Sequence, residues 1–207
     1  LIYPFHLYKK MQSKKIILSL IAALAFTAGP ATASDVYSVD TFAIGTLING
    51  QFKVDSKEKA EACYKILNDE TRRLEYILSA YDPDSDVTRL NQHPGEWIQI
   101  EPETFEVLNG SKTIAALTHG TFDPTVGALV KLWSVDQPEH RVPSEAEIKR
   151  ALINVDYNLI DAKKENGRYF GKIGKKQSVA FGAIGKGYIA DKVINNCLLY
   201  TSDAADD

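Results

Sequence analysis

The stretch from Asp55 to Tyr81 constrains this 207-residue chain most. Ala60, Cys63, Leu67, Leu74, Leu78 and Tyr81 recur at helical steps, so they share one apolar stripe of a long helix. Asp55 with Glu58 makes a cap-like start, and Asp82-Pro83 marks the end. Before it, "TFAIGTLINGQFKVD" reads as an opening strand region, with Asn49-Gly50 a candidate turn inside it. After it, "WIQI" reads as a short strand, and Pro102 to Thr118 as a second helix through Phe105, Leu108, Ile114, Ala115 and Leu117. Ser144 with Glu147 three residues on is a capping box, opening a short helix to about Leu152. "NLIDA", a turn at Asn166-Gly167 and "RYFGKI" predict a hairpin, with "SVAF" as a further strand. Helices and strands do not alternate regularly, which predicts an α+β fold, a mixed sheet with packed helices.

The two ends read differently from the middle. Residues 1 to 10 precede Met11 and read as upstream translation. From Met11 the text has a charged start at Lys14 and Lys15, an apolar run from Ile16 to Ala25, and a small-residue site at Ala31-Thr32-Ala33. That is a signal-peptide pattern over residues 11 to 33, so the expected location is exported, in the periplasm or on the outer face of the cytoplasmic membrane. An uncleaved anchor is the alternative, although the apolar run is short for a bilayer span. At the other end, "CLLYTSDAADD" from Cys197 to Asp207 resembles the translation of a sequencing-library transposon adapter, and it is set aside from the fold expectation. Cys63 is then alone on its apolar stripe and implies neither a disulfide nor a thiol site.

A formal net charge of -3 and the lack of a basic run interleaved with aromatics give no sign of a nucleic-acid partner, and none is expected. "DPDSD" at Asp82 to Asp86 spaces carboxylates as a calcium loop does, but Val87 stands at the sharp-turn glycine and His93 at the bidentate glutamate. A polar turn is the better reading. "GAIGKGY" lacks the first glycine and the final hydroxyl of a phosphate loop, where Ala180 and Gly187 stand. Its glycines and Lys186 still suit either a diphosphate or tight packing of a strand-to-helix turn. His6, His93, His119 and His140 fit no ligand spacing. In "THGTFDPTVGALVKLW", Gly120 ends one helix, and Asp123 with Pro124 reads as the cap and first residue of the next.

Three ordered segments, "LSAYDPDSDVTRLN", "THGTFDPTVGALVKLW" and "FGAIGKGYIAD", together with "IGT" at Ile44 to Thr46, resemble the ApbE family. These are exported flavin transferases that move FMN from FAD onto a threonine of an acceptor protein. The resemblance covers Ile44 to about Asn196 and implies a flavin transferase domain over residues 34 to 196, incomplete at its C-terminus. It implies that Thr121, Phe122 and Asp123 contact FAD, that Tyr81 packs on the flavin and Ile44 against the same ligand, and that Lys186 lies near the diphosphate. Ala183 would give its backbone carbonyl to magnesium. Ala180 departs from the family, which commonly has an aspartate there, so an exported flavin-binding protein without transferase activity is the alternative. The catalytic stretch and the remaining magnesium ligands would lie beyond Asn196. Membrane association would come only from an uncleaved signal or a membrane-bound acceptor.

Overall fold

The computed structural model describes residues 35–134 and 141–203; the expected leader, His6 and His140, and the last four residues lie outside them. A hairpin opens the fold, β1 (Asp35–Ala43) paired antiparallel with β2 (Thr46–Val54). The turn is Ile44-Gly45, both left-handed at φ 49° and 69°, and not Asn49-Gly50. Gly50 instead sits inside β2 opposite Val39, and a Cβ there would come within 2.8 Å of Leu67 Cδ1. Its glycine serves close approach to the next helix rather than a turn.

That helix, α1 (Lys57–Leu78), buries Ala60, Cys63, Leu67, Thr71, Leu74, Ile77 and Leu78. Its cap is Ser56, whose hydroxyl accepts from the Lys59 N–H at 3.2 Å, while Asp55 pairs with Lys59 instead. It stops at Leu78, sooner than the apolar spacing predicts. Ser79 Oγ accepts from the backbone N–H groups of Tyr81 and Asp82, a local turn that competes with further helix. Tyr81 therefore leaves the apolar stripe and is 71% exposed.

The chain continues through α2 (Asp86–Gln92), β3 (Ile98–Ile100), α3 (Pro102–Leu117), α4 (Gly127–Trp133) and α5 (Glu145–Leu152). A 3-10 turn at Tyr157–Leu159 leads into the hairpin β4 (Asp161–Glu165) and β5 (Arg168–Lys172), and α6 (Gly185–Asp203) ends the described residues. β5 lies between β3 and β4 in a three-stranded antiparallel sheet. The capping box at Ser144 and the Asn166-Gly167 turn form as expected. "SVAF" is not a strand: it makes a single parallel bridge, Ser178 to Val126. Nor does the helical pattern stop at Asn196, since α6 runs on to Asp203 with Cys197 packed against the hairpin cluster.

Two cores share α1. Its Ile77 and Leu78 join Val87, Leu90, Val107, Leu108, Ile160 and Ile173 beneath the three-stranded sheet. Its Leu67 and Leu74 pack with Ile189 and Val193 of α6 under the first hairpin. α6 is also tied to α3, because Glu106 accepts from Tyr188 Oη and from Lys192 Nζ, each at 2.7 Å. Those bonds, Lys192 first, hold the Glu106 carboxyl below its ordinary value, and burial keeps the Tyr188 phenol neutral far into alkali. A carboxyl with a lowered folded value stabilises above its unfolded value and loses that contribution as pH falls. Glu106→Gln should therefore lower the urea midpoint at neutral pH, and the difference from the parent should shrink below about pH 4.5.

Candidate functional site

The segment from Gln177 to Phe181 has no strand neighbours in either sheet, so its backbone groups need partners from elsewhere. Asn91, near the end of α2, supplies a two-way clamp: its Oδ1 accepts from the Val179 N–H at 2.7 Å and its Nδ2 donates to the Val179 carbonyl at 3.0 Å. The loop after α3 supplies the rest. Ala180 N–H donates to the Pro124 carbonyl and Gly127 N–H to the Ser178 carbonyl, both at 2.9 Å. A Cβ on Gly127 would meet the Ser178 carbonyl oxygen at 2.6 Å, so only glycine permits this approach. Two of the motif segments, distant in sequence, thus meet on the run of backbone that leads directly into the third.

Each is anchored from behind. Ser85 caps α2 through the Thr88 N–H, and its hydroxyl donates to the Ser79 carbonyl at 2.6 Å, fixing the loop that carries Tyr81. The Asp86 carboxylate is buried, accepts from Glu101 N–H and Thr104 Oγ1, and pairs with Arg89. The "DPDSD" turn is therefore a structural tie, and among the described residues no group of three His, Cys, Asp or Glu could hold a metal ion.

Asp123 is not a helix cap. α4 begins at Gly127 with Val126 before it, three residues later than the Asp-Pro spelling predicts. One Asp123 oxygen accepts from Thr125 N–H at 2.8 Å and Thr125 Oγ1 at 2.6 Å, and the other from Tyr157 N–H at 3.0 Å. The side chain closes an Asx turn and pins the 3-10 turn to it. Thr118 ends α3, and His119 and Gly120 follow with positive φ, their N–H groups returning to Ala116 and Ala115 in a Schellman pattern. Thr121, Phe122 and Asp123 lie between these two fastenings.

Ile44 and Lys186 line one cavity of about 530 Å3 between the first hairpin, α1 and α6. Ile44 donates its N–H to Glu75 Oε1 at 2.8 Å, which holds a β-branched residue in left-handed backbone at the hairpin tip. Tyr81, Thr121, Phe122, Asp123 and Ala183 do not line that cavity. Ala183 is exposed just before α6, and Lys186 lies in that helix's first turn. Asn91, Thr125, Gln177 and Glu75 carry the arrangement without having been singled out in the sequence. Thr125 two residues after an Asp is a readable Asx-turn signal, whereas Asn91 meets a partner 88 residues away and leaves no local trace.

Residues 44–200 match the ApbE family model. This chain belongs to the ApbE family. A Treponema pallidum relative named FAD:protein FMN transferase is 28% identical over 182 residues, which is 82% of this chain and 48% of the relative. The crystal structure of the Thermotoga maritima apbe protein superposes with a TM-score of 0.70 at 31% identity, over 81% of this chain and 54% of that one. The apo flavinyl transferase ApbE of Pseudomonas stutzeri, 21% identical with a TM-score of 0.70 over 83% of this chain and 55% of that one, shares the fold. The chain therefore has the α+β fold of this family and spans about half the length of the relatives it matches.

Asp123→Asn keeps the Asx turn but sets an amide donor against the Tyr157 N–H. Unfolding by denaturant should show a loss of about 1–3 kcal/mol, the scale of an unsatisfied partly buried donor.

Proposed function

We propose that the chain carries the flavin-binding part of an exported FAD:protein FMN transferase. What carries the reading is that Asn91, Pro124 and Gly127 hold the Tyr81 and Thr121-Phe122-Asp123 segments against the run of backbone that leads into Ala183 and Lys186, in a chain of the ApbE family. On this reading the exposed Tyr81 ring stacks on the isoalloxazine and Ile44 packs against the same ligand. Lys186 and the N-terminus of α6 face the diphosphate. Thr121 and Phe122 border the ligand from a loop that Asp123 orders through its backbone bonds.

The reaction is phosphoryl transfer. A threonine oxygen of an acceptor protein bonds to the FMN phosphorus of FAD as the P–O bond to AMP breaks; AMP takes the electron pair, and the hydroxyl proton passes to a base. The resemblance adds magnesium, which would neutralise the diphosphate. The described residues do not fit a complete site for it: the carbonyl of Ala183 falls far short of the oxygen set magnesium needs. Export to the periplasm or the outer membrane face rests on residues 11 to 33. Of the described helices, none is long and apolar enough to cross a membrane.

Titration of flavin fluorescence tests the binding half. Tyr81→Ala should weaken FAD by about 1–3 kcal/mol, the scale of a lost aromatic stack. A colourless parent chain that ignores FAD would overturn the reading. The transfer half is tested with FAD, magnesium and an acceptor carrying the target threonine. With so few metal ligands among its described residues, the 207-residue chain should give no fluorescent acceptor band on a denaturing gel. A labelled band would show that this residue set suffices. Retention of FAD without AMP release would favour the alternative of a flavin-binding protein.

A further inference from the structure

The loop of the first hairpin has two residues, Ile44 and Gly45, and the pair Ala43 and Thr46 closes the ladder beneath it. Such a loop leaves the N–H of its first residue outside the ladder, so that donor needs a partner from elsewhere. Glu75 supplies it: its Oε1 accepts from the Ile44 N–H at 2.8 Å, across 31 residues of sequence. Among the described residues no ion pair engages the Glu75 carboxylate, so this amide is the partner that orients it. The residue held there is an unusual one. At φ 49° a two-residue loop favours Asn or Gly in first position, and a β-branched side chain is disfavoured. A side chain kept where the backbone argues against it points to a task beyond the turn. Ile44 packs against the cluster of Leu67 and Leu74 and also lines the cavity that Lys186 borders.

We propose that Glu75 is a positioning residue for the flavin: by holding the Ile44 amide it fixes the Ile44 side chain relative to the turn that carries Tyr81, so that both meet one ligand. The proposal rests on the flavin-binding reading and adds to it a residue that need not touch FAD. Both contacts are referred to one helix. Glu75 lies three residues before Leu78, about 4.5 Å along the axis, where α1 gives way to the Ser79 turn under Tyr81. Without the Glu75 oxygen the Ile44 amide would turn to water, and the tip would be free to leave left-handed backbone. FAD would then bind only the molecules whose tip is in place, and the apparent affinity would fall by that fraction.

Titration of flavin fluorescence in the full chain reads the effect. Glu75→Ala should weaken FAD about tenfold, which corresponds to a tip in place in about one molecule in ten. Glu75→Gln keeps an acceptor oxygen at the same reach and should stay within about threefold of the parent. Should the alanine variant fold poorly, Glu75→Asp keeps the charge but falls one methylene short of Ile44, and it should weaken FAD to a similar extent. Hydrogen exchange at the Ile44 amide should quicken in the Ala and Asp variants and not in the Gln variant. A residue that merely stabilised the fold would act whatever stood at position 44. Positioning requires instead that Ile44→Gly cancel the effect, so that adding Glu75→Ala to it changes FAD affinity by less than about twofold. FAD binding that is equal in the parent and in both the Ala and Asp variants would overturn the proposal and leave the flavin reading intact, as would a tenfold loss that persists in the glycine background. A parent chain that ignores FAD would instead strike the flavin reading itself, and this proposal with it.

Discussion

The arrangement depends on satisfying the backbone of Gln177 to Phe181, which runs through the protein without a sheet to bond it. Asn91 takes both polar groups of Val179, and Pro124 and Gly127 take those of Ala180 and Ser178. Gln177 adds its side chain, accepting from Gly174 N–H and donating to the Asp156 carbonyl. A partly buried chain without these partners would leave several donors and acceptors unmet. The same bonds fix three loops relative to one another, and these loops carry most of the family-matching residues. Support of the backbone and alignment of the site are one set of interactions.

α1 holds the two halves of the fold in register. Its middle faces the first hairpin and α6, and its last turn faces the three-stranded sheet. Glu75 on its flank receives the hairpin tip at Ile44, and the turn that leaves its C-terminus carries Tyr81. The separation of these two residues is therefore set by one rigid element.

Much of the fold was legible because its signals are local. The Ser144 capping box, the Asn166-Gly167 turn and the stripe from Ala60 to Leu78 each involve residues a few positions apart, and all form as read. The misreadings share a cause. Asn49-Gly50, Asp123-Pro124 and "SVAF" each have the spelling of one local structure, yet contacts far away in sequence decide their use: Leu67 under Gly50, Tyr157 on Asp123, Asn91 beside Val179.

By itself, the sequence determined the class of fold, the long helix with its buried stripe, and the ordered motifs that mark the ApbE family, because periodicity, capping and motif order are written in neighbouring residues. Only the tertiary structure decided that Asp123 is a half-buried fastening, that Asn91 clamps Val179 just ahead of the third motif, and that the edge of β2 borders an apolar groove. These facts depend on which surfaces meet after the chain has closed loops of tens of residues, and no local spelling encodes that meeting.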